Sequence, residues 1–130
     1  MNARILVIDD DAAIREAMRM ILEYEDYECA LAASGPEGLA AVEREAPDLV
    51  FLDIRMPGMD GLEVLDRIKA VHDTLPVVIV SGHATVATAV EATKLGAFDF
   101  LRKPFTPDEL TILVRKGLEK RRLSLEARRL

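Results

Sequence analysis

The sequence predicts an α/β fold, a doubly wound parallel sheet of five strands with helices on both faces. Three observations predict it. Short apolar runs alternate with amphipathic stretches five times along the 130 residues. Strands that alternate with helices imply βαβ units and a parallel sheet, and right-handed crossovers put helices on both faces. Continuous apolar runs such as Val77–Val80 fit strands covered on both sides.

Arg4–Ile8 is the first strand and ends in acids. Asp11–Tyr24 is a helix that places Ile14, Met18, Ile21 and Leu22 on one face. Tyr27–Ala32 is the second strand, with Cys29 as a small buried hydrophobe. Tyr24 and Tyr27 read as packing around the intervening loop. A helix follows over Gly35–Glu45, where Ser34 and Glu37 have capping-box spacing. The third strand is Asp48–Leu52. Asp60 and Glu63 introduce the next helix, Gly61–Val71, at the same spacing.

Val77–Val80 is the fourth strand. A helix is expected over about Ala84–Leu95, with Gly96 as its stop. The fifth strand is Phe98–Leu101. The last helix opens with Thr106, Pro107 and Glu109, which are cap, first-turn proline and capping-box acid. Five such units give a flavodoxin-like doubly wound sheet, for which the order 2-1-3-4-5 is the usual choice.

Half of the residues are hydrophobic, enough for a buried core in one domain. No stretch approaches the roughly 20 apolar residues of a membrane span. The start lacks a basic segment followed by an apolar run, so no secretory signal is expected. Together with the lone Cys29 this predicts a cytoplasmic setting without internal disulfides. Net charge is −6, which argues against nonspecific contact with nucleic acid. The charge is uneven: from Arg115 to Leu130 seven basic and two acidic residues give +5, leaving −11 on the rest.

In open parallel sheets ligands bind beyond the carboxyl ends of the strands, at the switch point. Strand one ends in Asp9 and Asp10, strand three in Asp53, strand four in Ser81, and strand five near Lys103. Four strands thus deliver polar groups to one edge. Three gathered carboxylates repel, and without a cation at least one takes up a proton. A hard dication resolves this, and oxygen ligands favour magnesium. Lys103 offers charge to anionic phosphoryl oxygens, Ser81 a hydroxyl donor, and Asp53 a carboxylate able to form an aspartyl phosphate. Taken singly, each residue has a plainer reading. The acids suit a helix start, and Asp11 is assigned to that role. Asp53 is a loop acid before a turn, Lys103 a solvated lysine, and Ser81 turn chemistry with Gly82. Those readings must all hold together to displace the site.

The segments Ile5–Asp10 (ILVIDD), Leu49–Gly61 (LVFLDIRMPGMDG), Val78–His83 (VIVSGH) and Gly96–Phe105 (GAFDFLRKPF) resemble receiver domains of two-component response regulators. The likeness runs to about Lys120, giving a receiver over 1–120 and a helical extension or linker over 121–130. The resemblance implies a phosphoacceptor at Asp53 and a sensor histidine kinase as phosphoryl donor. It implies magnesium (manganese would also suit) held by Asp10, Asp53 and the Arg55 backbone carbonyl, with Asp9 acting through water. Lys103 would contact the phosphoryl group, with a cis peptide before Pro104. Ser81 would be the switch hydroxyl and Phe100 the aromatic that turns inward, although plain core packing competes for Phe100. Tyrosine is common at that place, and phenylalanine removes a hydroxyl readout. Arg55 and His83 would tune phosphoryl lifetime, against the plainer reading of His83 as an exposed loop residue.

The segment ATVATAV, 84–90, is rich in β-branched residues and makes a weak helix next to Ser81. It is the candidate bistable element, shifting the face formed by the fourth helix, fifth strand and fifth helix. GAFDFLRKPF and LEKRRLSLEARRL are similar to receivers of nitrogen-regulation-type activators that act with sigma-54 polymerase. On that likeness the chain is read as a receiver excised from ATPase and DNA-binding domains. Leu118 with Leu125, and Leu123 with Leu130, are seven apart, which suggests a helical linker or short coiled coil. A homodimer through the helix-four face and this tail is expected, with no direct nucleic-acid or membrane contact by the domain. The domain is not an enzyme but assists its own phosphorylation and dephosphorylation. The rival readings are a haloacid-dehalogenase-type phosphatase using Asp9 and Asp11, a degenerate receiver that is not phosphorylated, and flavin binding. The last lacks a Ser/Thr-rich phosphate loop.

Overall fold

Five parallel strands, hydrogen-bonded in the order β2-β1-β3-β4-β5, form the centre of the computed structural model, which describes residues 2–83 and 85–129. The elements run β1 (Arg4–Ile8), α1 (Ala12–Tyr24), β2 (Glu28–Ala32), α2 (Gly35–Glu45), β3 (Leu49–Asp53), α3 (Gly61–Val71), β4 (Val77–Ser81), α4 (Val86–Lys94), β5 (Asp99–Arg102) and α5 (Pro107–Arg129). The order matches the usual one for a flavodoxin-like sheet of five such units.

The two-residue period of the strands divides the core. Leu6, Ile8, Val50, Leu52, Val77 and Ile79 point into one layer with Val64, Leu65 and Ile68 of α3 and Ala92 of α4. Ile5, Val7, Leu49, Phe51, Val78 and Val80 point into the other, with Met18 and Leu22 of α1 and Leu110 and Val114 of α5. Both sheet faces are therefore apolar, and the strands read as unbroken hydrophobic runs.

Helix starts follow the side chains that can take up orphan amides. Asp11 accepts from the Ala13 and Ile14 amides. Thr106 and Glu109 form a full capping box, each side chain accepting the other residue's amide at 3.1 and 3.0 Å. At α2 the Glu37 carboxylate reaches back to Ala33 rather than to Ser34. At α3 Asp60 caps Leu62, and Glu63 faces Arg67 one turn on.

The differences from expectation lie at element ends. β3 and β4 each extend one residue further than expected, to Asp53 and Ser81, so both polar groups are fixed by strand pairing. The Phe98 amide donates to the Val77 carbonyl just before β5 begins at Asp99. α4 starts at Val86 with Thr85 as its cap; Ala84, where the helix was expected to begin, lies outside the described residues, as does Leu130 of the leucine spacing. Tyr24 is exposed instead of packing, whereas Tyr27 lies against the α1–α5 layer. Cys29 is half-buried on β2, and burial pushes its thiol up to about 12. α5 continues unbroken from Pro107 to Arg129. Among the described residues no helix is long and apolar enough to cross a membrane.

Candidate functional site

Because all five strands run the same way, their carboxyl ends share one edge. Asp9 and Asp10 follow β1, Asp53 closes β3, Ser81 closes β4 and Lys103 follows β5. A carboxylate oxygen from each of Asp9, Asp10 and Asp53 lies within 4.8 Å of the others. Asp9 and Asp53 are buried, at 1% and 6% exposure; Asp10 is exposed. The Lys103 ammonium spans the two buried acids, 3.0 Å from Asp9 Oδ2 and 3.7 Å from Asp53 Oδ2. The sequence separates Asp9 from Lys103 by 94 residues, and the β1-β3-β4-β5 order brings them together.

Each side chain is held by local backbone. The Asp11 amide donates to Asp9 Oδ1 at 2.9 Å, and the Arg55 amide to Asp53 Oδ1 at 3.2 Å. The His83 amide donates to Ser81 Oγ at 3.1 Å, which leaves the Ser81 proton for another acceptor. Gly61 seats the start of α3 on the peptide that follows Asp53. A Cβ there would stand 2.6 Å from Ile54 Cα and 2.7 Å from the Asp53 carbonyl oxygen, so a side chain would push α3 away. The Lys103–Pro104 peptide is cis.

Burial pushes the Asp53 carboxyl up to about 6, and the Asp9 charge pushes the same way; the Arg55 amide and Lys103 oppose them. One lysine therefore does not balance three carboxylates. An oxygen-only donor set with uncompensated negative charge fits a hard dication of the magnesium kind. The cleft above Asp53 has a volume of about 490 Å³ and is bounded by Ile14, Arg55, Ser81, Lys103 and Pro104, with Gly82 and His83 on its rim. It has room for a phosphoryl group.

Two comparisons decide the family. The family model described as the response regulator receiver domain matches residues 5–115. The chain belongs to this family. The receiver is 44% identical over 128 residues to the nitrogen assimilation regulatory protein NtrX of Azorhizobium caulinodans, covering 97% of this chain and 28% of that protein. It is 43% identical over 114 residues to the DNA-binding transcriptional regulator NtrC of Salmonella typhimurium, covering 88% of this chain and 24% of the regulator. The receiver thus spans about a quarter of the length of these relatives. Among solved structures, the CheY-like receiver domain protein of Methanospirillum hungatei superposes with a TM-score of 0.92 at 33% identity, covering 95% of this chain and 99% of the other. The structure of NtrX from Brucella abortus in complex with ATP superposes at 0.91 with 45% identity, covering 98% of this chain and 29% of the other.

The remaining residues named from sequence fall as follows. Phe100 is half-buried on β5, packs against the α2–α4 layer, and with Ser81, Thr85, Val86 and Ala89 lines a cavity of about 310 Å³. Arg55 and His83 are exposed on the rim of the Asp53 cleft. Asp11 is spent as a helix cap. Sequence reasoning passed over Arg15, whose guanidinium donates to the Asp9 carbonyl oxygen at 2.7 Å. The available signal was a charged residue three and seven positions before the apolar Met18 and Leu22.

Proposed function

We propose that the chain is the phosphoacceptor switch of a two-component pathway, with Asp53 accepting a phosphoryl group from a sensor histidine kinase. The observation that carries this is the three-carboxylate cluster bridged by Lys103 at the carboxyl edge of the sheet. Asp10, Asp53 and the Arg55 carbonyl would hold the magnesium ion, or manganese in its place, with Asp9 acting through water. When bound, the ion supplies positive charge against the phosphoryl oxygens.

An Asp53 oxygen attacks phosphorus and forms a new P–O bond. The bond from phosphorus to the donor's imidazole nitrogen breaks, and its electron pair leaves on that nitrogen. Lys103 offsets the charge on one phosphoryl oxygen, and the Ser81 hydroxyl donates to another. Arg55 and His83 on the rim set how readily water reaches the phosphoryl group, and so its lifetime.

The cavity beside Ser81 gives Phe100 space to move inward when Ser81 shifts. α4 is the adjoining weak element, with Thr88 and Val90 in its short length and Val86 and Val90 exposed. Hydrogen exchange over Val86–Phe100 is expected to change when a phosphoryl mimic is added with magnesium; unchanged protection there would defeat this route. Exposed Val86 and Val90 on α4, and Ile112 and Leu123 eleven residues apart on α5, would offer apolar contacts to a second copy. The output would be control of transcription, in line with the name of the NtrC relative, a DNA-binding transcriptional regulator, with activation as the form expected from the sequence and 121–130 as the linker.

The test is incubation with acetyl phosphate and magnesium followed by intact mass. One phosphoryl group per chain is expected. Asp53→Asn should abolish the gain, and omitting magnesium should nearly do so. Turnover of small phosphate esters without a stable adduct would favour the phosphatase reading instead. That reading needs Asp11 as a second acid, and its Oδ1 caps α1 by accepting from the Ala13 and Ile14 amides. A receiver that takes no phosphate even with magnesium would be the degenerate module.

A further inference from the structure

α1 presents an apolar stripe to the sheet, in which Met18 and Leu22 are fully buried. Arg15 lies three and seven residues before them, on the same face. A hydrophobic residue is the expected occupant of that position. Arg15 is half-buried there instead, and its Nη1 donates to the Asp9 carbonyl oxygen at 2.7 Å. A charge in a core-facing stripe breaks the local pattern, and such breaks concentrate at functional sites.

The contact completes the fixing of one residue. The Asp9 amide donates to the Ala32 carbonyl at 3.1 Å. Its Oδ1 accepts from the Asp11 amide at 2.9 Å and its Oδ2 from Lys103 at 3.0 Å. The carbonyl is the last polar group of this buried residue, and Arg15 is its donor. Asp10 comes next in the chain, joined to that same carbonyl through its peptide bond. With Asp9 held on one side and Asp11 committed to capping on the other, the turn that carries the exposed Asp10 carboxylate is held in place.

We infer that Arg15 is a positioning residue for the cation-binding carboxylates: it clamps the Asp9–Asp10 peptide so that Asp10 stays within reach of Asp9 and Asp53. This rests on the metal-dependent reading above. Its electrostatic sign makes it testable. Arg15 carries positive charge, so as a mere bystander its loss would tighten cation binding. As a clamp, its loss loosens the ligand set and weakens binding; outer partners of metal ligands typically contribute about 10-fold or more in affinity.

The decisive variant is Arg15→Met, which restores the apolar stripe and removes the donor. Binding of Mn2+ alone, followed by electron paramagnetic resonance, is expected to weaken about 10-fold while thermal unfolding stays cooperative. The magnesium concentration that gives half-maximal phosphorylation by acetyl phosphate should rise by the same factor, with the rate at saturating magnesium little changed. Arg15→Lys, which returns a charged donor, should recover most of the affinity and remains informative if the methionine variant does not fold. Unchanged or tighter Mn2+ binding in Arg15→Met, or a lysine variant as weak as a folded methionine variant, would overturn the inference. Failure of the unaltered chain to bind Mn2+ would overturn the metal-dependent reading and this inference with it.

Discussion

Lys103→Met is expected to slow phosphorylation of Asp53 by acetyl phosphate on the order of 100-fold, with the fold intact and cation binding retained or tightened. Lys103 is the cation that touches both buried acids of the site, at 3.0 and 3.7 Å, and its side chain is only 22% exposed. A charge in so sheltered a place acts through a lower effective dielectric than a surface lysine does. Removing one preorganised group that faces developing negative charge commonly costs about 100- to 1,000-fold in rate. Methionine keeps much of the chain length and apolar stem, so the loss measures the ammonium. Cation binding should move the other way, because the ion no longer shares the cluster with a competing positive charge. Intact-mass time courses at several magnesium concentrations separate the two effects. A rate within about 3-fold of the unaltered chain at saturating magnesium, set against that expected loss, would remove Lys103 from the phosphoryl site.

The opposite shifts expected for rate and cation affinity reflect how the site is assembled, and the same assembly explains what could be read beforehand. Residues whose role is local were legible. Asp11, Ser34 and Thr106 cap helices because short polar side chains three positions or fewer from orphan amides have little else to reach. The alternation of runs and amphipathic stretches gave the parallel sheet with helices on both faces, because right-handed crossovers leave few alternatives, and its order was taken as the usual one for five such units. Asp53, Ser81 and Lys103 were legible as strand-end residues once the order was in hand. Strand ends were less so. Asp53 and Ser81 are the last paired residues of their strands, because neighbouring strands extend that far, which a single segment does not reveal. Tyr24 was misread because an aromatic at a helix end packs only if the chain turns over it. Arg15 was overlooked because its importance lies in one contact to a carbonyl six residues earlier, and helix periodicity treats that position as interchangeable with any apolar side chain. That Asp9 is buried and Asp10 exposed was likewise invisible in the residues themselves, since the two acids are adjacent and identical in type; only the resemblance gave them different roles.

The charge imbalance that suits the site for a cation makes the cation-free domain less stable, and Asp53→Asn is expected to raise its stability by about 3 kcal/mol at pH 8. The Asp53 carboxyl sits at about 6 in the folded chain against an ordinary value of 3.8, and each unit of separation corresponds to about 1.4 kcal/mol. Burial is the larger cause, the Asp9 charge the next. A carboxyl raised on folding binds its proton more tightly in the native state. Between about pH 4 and 6 the folded chain therefore carries more bound proton than the unfolded one, and its stability falls as pH rises through that window. Above it the full penalty stands; below it the penalty vanishes. Asparagine is neutral throughout and can still accept the Arg55 amide. The advantage of Asp53→Asn should therefore be greatest at pH 8 and shrink towards zero by about pH 4, as urea unfolding in chelator would read. Magnesium should reverse the order, because it binds the unaltered folded chain and stabilises it by mass action. Equal stability of the two chains at pH 8 in chelator, or an advantage that grows on acidification, would mean that the Asp53 charge is already compensated without a cation.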